Sequence, residues 1–211
     1  MAKRECRNIF MLGRPGCGKS ELYRRLTSKL KEEGFAQEFV RVDDFPKLWN
    51  IFINDKNFER CKPTEDRGYK VTDPKVWDDI LKEVNRDVKK LNKKRRVIFV
   101  EFSRPNYVHS LQNFAKEILN KSLIVYIDCS FKTCWKRNVR RHKADLAAGV
   151  DNHLVPREEM EETYLHDDKG ELLRFGEESK IPIVVVDTDY EGMTHYKGII
   201  EKITKAIRDF K

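Results

Sequence analysis

The chain has 211 residues, of which 39% are hydrophobic and 37% charged, and its formal net charge is +8. No apolar run approaches the roughly 20 residues that a bilayer-spanning helix needs, so no membrane partner is expected. The length suits one α/β domain with an insertion or lid, and the charge favours anionic partners such as nucleotides, phosphorylated metabolites or nucleic acid. Five cysteines without metal-ligand spacing, and an amino terminus that leads directly into a strand, predict a reduced, cytoplasmic protein.

The first predicted elements are a buried strand and an amphipathic helix. The strand is the apolar run Asn8–Leu12, and the helix begins near Ser20 with Leu22, Leu26 and Leu30 at helical spacing. Between them lies an octapeptide that fits Gly-x-x-x-x-Gly-Lys-[Ser/Thr] at every fixed position: Gly13-Arg14-Pro15-Gly16-Cys17-Gly18-Lys19-Ser20.

Each residue type in this octapeptide has a physical task. Glycines let the backbone bend so that its N–H groups point at phosphate oxygens, and the new helix adds its positive end. Lys19 supplies a mobile charge for the β- and γ-phosphates, and the Ser20 hydroxyl is a hard oxygen ligand for Mg²⁺. A glycine-rich turn without a ligand is the weaker alternative. The octapeptide therefore predicts nucleoside triphosphate binding, with ATP and Mg²⁺ as cofactors.

Two aspartates follow the second predicted strand, Phe39–Val42. A carboxylate at this end of the sheet could take the proton from an acceptor hydroxyl as it attacks the γ-phosphoryl group. Capping of a helix that begins at Pro46 is the alternative role, and it suits Asp44 better than Asp43. We expect Asp43 to be the catalytic base and both aspartates to lie at the acceptor.

The next stretch, residues 45–72, carries Phe45, Trp49, Phe52, Phe58 and Tyr69 among polar residues. Phosphotransferases place their acceptor site in an insertion at this position, so we expect an acceptor-binding insertion here.

A predicted helix over Pro74–Leu91 follows the insertion, with Asp73 as its N-cap. It ends in the basic run 89–96, which contains no aromatic residue. A solvated helix terminus explains this run adequately, and a nucleic-acid patch is the alternative that the missing aromatics disfavour.

The third predicted strand, Val97–Phe102, brings two further candidate site residues. Glu101 lies near the strand end, where a carboxylate can orient Mg²⁺. Arg104 could hold an anionic group of the substrate with its forked donors. A simple Arg–Glu pair in a loop is an equally weighted alternative for these two residues.

The rest of the chain alternates helices and strands. The remaining predicted strands are Leu123–Asp128 and Ile183–Val186, and the remaining predicted helices are Ser110–Asn120, Phe131 to about Arg141, Pro156 to about His166, and Glu191–Phe210. This alternation indicates βαβ units in a doubly wound parallel sheet, within one domain over residues 1–211.

The late part of the chain contains a basic helix face. Arg137, Arg140 and Arg141 are spaced i, i+3 and i+4 on the fourth predicted helix, where they could neutralise charge on the transferring group. We expect Arg137 and Arg141 to be catalytic ahead of Arg140, with residues 142–156 as a mobile flap. Thr188, after the last strand, could border the adenine ring, and a plain strand-to-helix turn is nearly as good an interpretation.

Together these stretches resemble the P-loop kinases of the nucleotide-kinase-like group, in the branch of polynucleotide 5′-kinases, zeta-toxin-like kinases and small-metabolite kinases. The similar pieces are the octapeptide 13–20, Asp43-Asp44-Phe45, residues 137–141 and residues 155–164. The resemblance implies a P-loop NTPase fold with sheet order 2-3-1-4-5 and Asp43 as the base. It also implies a lid over residues 137–168. The lid segment begins with Arg137 and Arg140 or Arg141, and its last part is a helix that begins at Pro156.

Three functions remain open at this point. The leading expectation is an ATP-dependent kinase of a small-molecule hydroxyl or phosphate, such as a nucleoside, nucleotide or related metabolite. A polynucleotide 5′-hydroxyl kinase is the alternative, but Phe45-Pro46-Lys47 replaces the Tyr-Arg that often follows the aspartates in end-healing kinases. A nucleotide-dependent switch with slow hydrolysis is the third, and it would need no acceptor base at Asp43.

Overall fold

The computed structural model describes residues 5–65, 68–147, 154–190 and 193–210. The elements in chain order are β1 (Asn8–Leu12), α1 (Lys19–Glu32), β2 (Glu38–Asp43), α2 (Phe45–Asn54), β3 (Cys61–Pro63), β4 (Tyr69–Val71), α3 (Lys75–Leu91), β5 (Arg96–Phe102), α4 (Tyr107–Leu111), α5 (Lys116–Leu119), β6 (Ser122–Asp128), α6 (Phe131–Ala147), α7 (Arg157–Tyr164), α8 (Lys169–Ser179), β7 (Ile183–Asp187) and α9 (Met193–Arg208).

Five of these strands form a parallel sheet in the order β2-β5-β1-β6-β7. Numbered among themselves, the five strands read 2-3-1-4-5, so the predicted P-loop NTPase fold and its strand order are confirmed. Asp43 of β2 and Met11 of β1 both lie opposite Glu101 of β5. Since parallel strands end at the same edge, this register brings the octapeptide, Asp43 and Glu101 together.

Each face of the sheet carries its own hydrophobic core. Ile9 and Met11 belong to one core, and the alternating residues Phe10 and Leu12 belong to the other. Apolar residues of α1 and α9 cover the first face, and those of α3, α4 and α5 cover the second. Burial on both faces explains why the central strands are apolar throughout, and it leaves the polar groups at the strand ends.

Several predicted element boundaries were wrong. The single helix expected over Ser110–Asn120 is two short helices, because Ala115 adopts an extended conformation with ψ 144° between them. Helix α6 continues to Ala147, six residues beyond the expected end at Arg141, so residues 142–147 of the predicted flap are helical. The rest of that flap as far as residue 153 lies outside the described residues.

The insertion at residues 45–72 contains α2, where a helix beginning at Pro46 was considered in the sequence. The antiparallel pair β3–β4 in the same insertion was missed, because its strands have only three residues each and show no periodicity. Helix α8 was missed because Gly170 and Gly176 resemble helix breakers. In the structure a Cβ on Gly176 would stand 2.5 Å from a carbon of Ile183, so glycine allows α8 to approach β7 closely.

Candidate active site

A cavity of about 1030 Å³ lies at the carboxyl ends of the central strands. Its walls include six of the residues that the sequence singled out: Lys19, Ser20, Asp43, Glu101, Arg137 and Arg141. Single ligand pockets commonly occupy about 300–1,000 Å³, so the cavity has room for a nucleotide together with part of a second small molecule.

The octapeptide has the backbone of a phosphate cradle. Gly16 and Gly18 have φ values of 82° and 99°, which side-chain-bearing residues rarely adopt. A Cβ on Gly16 would stand 2.4 Å from the carbonyl oxygen of Cys134, so only glycine fits there. Helix α1 begins at Lys19, which leaves the N–H groups of its first turn free of partners within the helix. The loop can therefore direct amide hydrogens toward an anion.

Lys19 arches back over the loop. Its ammonium group donates to the carbonyl oxygens of Gly13 at 2.8 Å and Arg14 at 3.0 Å, and to the hydroxyl of Ser103 at 2.8 Å. The Ser103 hydroxyl in turn donates to the Gly13 carbonyl at 2.7 Å. These bonds hold the positive charge above the cradle, where phosphate oxygens could replace the carbonyl acceptors.

Other loop residues brace the cradle from behind. Cys17 is fully buried in the core, as expected of a small loop filler. Arg14 donates to the carbonyls of Tyr164 at 2.6 Å and Cys129 at 3.0 Å, which ties the loop to the end of α7. Its guanidinium therefore points away from the nucleotide position, and only its backbone remains available to the cradle.

Thr188 departs from its predicted place at the adenine ring. It is fully buried, its hydroxyl donates to the Cys17 carbonyl at 2.8 Å, and its own carbonyl accepts from Arg137 at 2.8 Å. The burial of Thr188 does not agree with the contact to an adenine ring that the sequence suggested. Because β7 ends directly behind the octapeptide, Thr188 supports the loop from inside the protein.

Arg41 occupies the centre of the polar cluster, a position that was not predicted from the sequence. A single guanidinium nitrogen, Nη2, donates to Ser20 Oγ at 3.1 Å, Asp43 Oδ2 at 2.9 Å and Glu101 Oε2 at 2.8 Å. Arg41 lies two residues before Asp43, so the alternation of β2 turns both toward the same face. That alternation was the available signal, but the contact with Glu101 depends on a strand 60 residues away.

The residues around Arg41 fit a magnesium ion. Three oxygens converge on one cationic nitrogen, and a hydroxyl and carboxylates are ligands that Mg²⁺ accepts. Glu101 is buried, which raises the pKa of its carboxyl group, and Arg41 partly offsets that rise. Its second oxygen, Oε1, is also buried and has no hydrogen-bond partner among the described residues. Within those residues no group of three His, Cys, Asp or Glu side chains could hold a metal ion, so a magnesium site here would also need the hydroxyl of Ser20.

The two aspartates have different surroundings at the start of α2. Asp43 Oδ1 accepts the Phe45 N–H at 3.0 Å. Asp44 is the N-cap residue of α2, as the capping interpretation expected, but its side chain makes no capping hydrogen bond. That side chain is instead buried and paired with Arg104 Nη1 at 2.7 Å, a partner that local sequence does not reveal. Arg104 likewise pairs with Asp44 and not with Glu101.

The basic face of α6 borders the cavity, with Arg137, Arg140 and Arg141 all in its wall. Arg137 Nη1 lies 4.0 Å from the point where a Cβ would stand on Gly18, so it is close to the phosphate cradle. Arg141 donates to Asn138 Oδ1 at 3.2 Å. Asn138 is buried and donates to the Val155 carbonyl at 2.8 Å, which joins α6 to the segment before α7.

The opposite wall comes from residues of the insertion and the start of α3. Phe45, Phe52, Tyr69 and Trp77 all line it, and the rings of Phe52 and Tyr69 stack at 4.8 Å with an angle of 9°. Three of the aromatic residues in the segment 45–72 therefore line the cavity: Phe45, Phe52 and Tyr69. Trp49 and Phe58 do not line the cavity, and Phe58 is 55% exposed.

The insertion also contacts the segment that leads into α7. A Cβ on Gly68 would stand 2.5 Å from Pro156 Cγ and 2.7 Å from the Leu154 carbonyl oxygen. Lys70 of β4 forms ion pairs with Glu158 at 2.7 Å and Glu162 at 2.5 Å. The β3–β4 pair and α7 therefore meet beside the cavity.

Residues 9–162 match the model of the AAA_33 family, described as an AAA domain. The chain belongs to this family. Among curated proteins, none matches the chain significantly.

Solved structures of the same fold resemble the AAA_33 chain over nearly its whole length. Kti12 from Chaetomium thermophilum, in complex with ADP-AlF3, has 17% identity and a TM-score of 0.60, with 95% of this chain and 98% of that chain covered. The Mycobacterium tuberculosis APS kinase CysC, in complex with AMPPNP and APS, has 15% identity and a TM-score of 0.51, with 96% and 99% covered. The expected place among nucleotide-kinase-like P-loop proteins is confirmed. No helix within the described ranges has the length and apolarity that crossing a bilayer requires.

Proposed function

We propose that this protein is an ATP-dependent phosphotransferase whose acceptor is a small molecule. One observation carries the proposal: a single cavity joins a phosphate cradle, a partly exposed carboxylate and an aromatic wall. A cradle alone would serve a nucleotide switch equally well. The carboxylate and the second wall are what a phosphoryl acceptor requires.

The donor half of the cavity is assigned to the octapeptide and to α6. The backbone of Gly16 and Gly18 and the ammonium group of Lys19 would hold the triphosphate, and Arg137 and Arg141 would neutralise charge on the transferring group. The nucleotides in the structures of Kti12 and the APS kinase support ATP as the donor type. In this assignment residues 137–168 form the lid and residues 45–72 the acceptor-binding insertion, within one kinase domain.

Asp43 is proposed as the general base. Its side chain is 29% exposed at the cavity, whereas that of Glu101 is only 2% exposed, so Asp43 is the better placed of the two to meet an incoming hydroxyl. The carboxylate would accept the hydroxyl proton as the acceptor oxygen attacks the γ-phosphorus, while the bond from the γ-phosphorus to the β–γ bridging oxygen breaks and ADP leaves. Its hydrogen bond to Phe45 N–H fixes the direction of the group beforehand.

Ser20 and Glu101, with Asp43 beside them, are the residues proposed to hold Mg²⁺. When bound, the ion would neutralise charge on the β- and γ-phosphates. Arg41 now supplies positive charge at that point, so it must withdraw from Ser20 and Glu101 before their oxygens can serve as ligands.

The basic run 89–96 does not support the polynucleotide alternative. It precedes and begins β5, whose carboxyl end carries Glu101 at the cavity. Seven strand residues span about 20 Å, so the run lies at the opposite end of the sheet from the site. Arg96 in addition pairs with Glu38 at 2.6 Å.

The direct test is a phosphoryl-transfer screen with γ-labelled ATP and a panel of metabolites and oligonucleotides, run with wild type and Lys19→Ala. We expect label to appear in a small molecule with wild type and to be largely lost in the variant, because no other group in the loop offers a full charge to the phosphates. Transfer that is unchanged in Lys19→Ala would reject this site. Equal, slow hydrolysis with no labelled acceptor would favour the switch.

A further inference from the structure

Arg104 has hydrogen-bond capacity that the protein does not use. It is only 3% exposed and lines the cavity, at the start of the loop after β5. Its Nη1 donates to Asp44 at 2.7 Å and to the Ser103 carbonyl at 2.6 Å. The other two nitrogens, Nε and Nη2, are buried and have no partner among the described residues. A buried donor without an acceptor costs free energy of folding, so the position of these two nitrogens calls for an explanation.

The unused edge has a defined shape. Nε and Nη2 of an arginine form a planar fork that matches two oxygens of a carboxylate, phosphate or sulfate. The guanidinium lies over the Trp77 ring, with 4.5 Å to the centroid, so its plane is held in place. Asp44 neutralises the charge but occupies only Nη1, which leaves the fork available to a second anion.

The cavity that Arg104 lines also has aromatic and aliphatic residues in its wall. These are Phe45, Phe52, Tyr69 and Trp77, together with Leu48 and Val71. Flat apolar surfaces suit a ring, whereas a polyhydroxy chain would leave its hydroxyls without partners there.

We propose that the phosphoryl acceptor is a small molecule with an aromatic ring and an oxyanion group, and that the Nε–Nη2 fork of Arg104 binds the oxyanion. The inference rests on the proposed kinase function and narrows its acceptor. Arg104 pairs with Asp44, the chain neighbour of Asp43, and all three residues line the same cavity, so an acceptor held by the fork would share the cavity with the base. Both fork nitrogens are closed to water in this structure, so binding of the oxyanion requires neighbouring side chains to shift.

Calorimetric binding with the full chain and AMPPNP tests the two features separately. The probes are 3-(hydroxymethyl)benzoate, its uncharged amide, glycerate and glycerol, which vary ring and oxyanion independently. A nucleoside and its 5′-monophosphate form a second pair, which distinguishes a phosphate from a carboxylate. We expect binding only where ring and oxyanion occur together, with the uncharged partner of each pair at least about tenfold weaker.

Three variants test whether the oxyanion binds at the Nε–Nη2 fork of Arg104. Arg104→Lys keeps a charge but removes the fork, and Arg104→Met removes both, so we expect the bound oxyanion probe to weaken about 10- to 100-fold while AMPPNP affinity stays constant. Because Arg104→Met leaves Asp44 buried and unpaired, the double variant Asp44→Asn with Arg104→Met guards against misfolding. Arg86→Met, an exposed arginine of α3, is the matched control.

Glycerate binding as well as the ring-bearing oxyanions, or an unchanged affinity in Arg104→Met, would overturn the proposal. Efficient phosphorylation of a neutral acceptor, unaffected in Arg104→Met, would also reject the fork and leave the kinase function intact. Fork-dependent binding without any phosphoryl transfer would support the oxyanion site and reject the kinase function.

Discussion

At the scale of single residues, Arg41 is an internal counter-ion for the oxygens that a metal would use. Its Nη2 atom stands within 3.1 Å of Ser20 Oγ, Asp43 Oδ2 and Glu101 Oε2. Two carboxylates at the ends of adjacent strands repel each other, and the guanidinium relieves that repulsion while the protein is without ligand. Metal binding at these oxygens therefore competes with Arg41.

Replacing Arg41 with glutamine should strengthen binding of a divalent ion in the absence of nucleotide. The variant removes the competing charge, and a part-exposed ion pair of this kind contributes about 1 kcal/mol, so we expect roughly fivefold tighter binding of Mn²⁺. Electron paramagnetic resonance of free Mn²⁺ measures this without any turnover. Arg24→Gln, which breaks an exposed pair with Glu21, is the control that should change nothing. Weaker Mn²⁺ binding in Arg41→Gln would contradict the competition.

At the scale of elements, the β3–β4 pair and α7 act as neighbours that close one side of the cavity. The contact is tight because Gly68 has no side chain where it meets Pro156 and the Leu154 carbonyl. Helix α7 in turn follows the segment that Asn138 of α6 holds through Val155. The insertion, the arginine-bearing helix and α7 are thus mechanically connected.

Gly68→Ala should loosen this connection. A Cβ there would come within 2.5 Å of Pro156, and crowding of this kind costs typically about 1–3 kcal/mol unless the elements separate. We expect faster hydrogen exchange in β3–β4 and α7, with the exchange of the central strands unchanged. Gly170→Ala is the matched control, since its Cβ would meet no atom within 4 Å. Faster exchange in both variants, or in neither, would show that this contact does not hold the elements together.

At the scale of the whole molecule, the sheet separates the basic run from the site. The run 89–96 lies at the amino end of β5 and the cavity at its carboxyl end. The net charge of +8 is therefore not by itself an argument for nucleic acid at the site.

Replacing Lys93 and Lys94 with glutamate should leave phosphoryl transfer to a small acceptor within about twofold of wild type, because charges about 20 Å away are largely screened at physiological salt. Steady-state kcat/KM at two salt concentrations measures this. A large loss of transfer to the 5′ end of an oligonucleotide would revive the polynucleotide alternative.

The sequence predicted those features that short stretches determine. The octapeptide, the five apolar strands and the helix face of Arg137 could be found because each depends on neighbouring residues. The role of Arg41 and the pairing of Arg104 with Asp44 could not, since each depends on a partner brought close by strand register or by a buried loop. The three-residue strands β3 and β4 were missed because they are too short for periodicity. The burial of Thr188 could not be predicted because it depends on residues that are distant in the sequence.

Asp43→Asn tests the central claim most directly. The variant keeps the shape of the side chain and its contact with Phe45 N–H, but removes the proton acceptor. Measured with γ-labelled ATP and the acceptor that wild type phosphorylates, we expect transfer to fall by about 10²–10⁴ while ATP affinity stays within a few-fold of wild type. Full transfer in Asp43→Asn would contradict the assignment of Asp43 as the base, and with it the proposed mechanism of phosphoryl transfer.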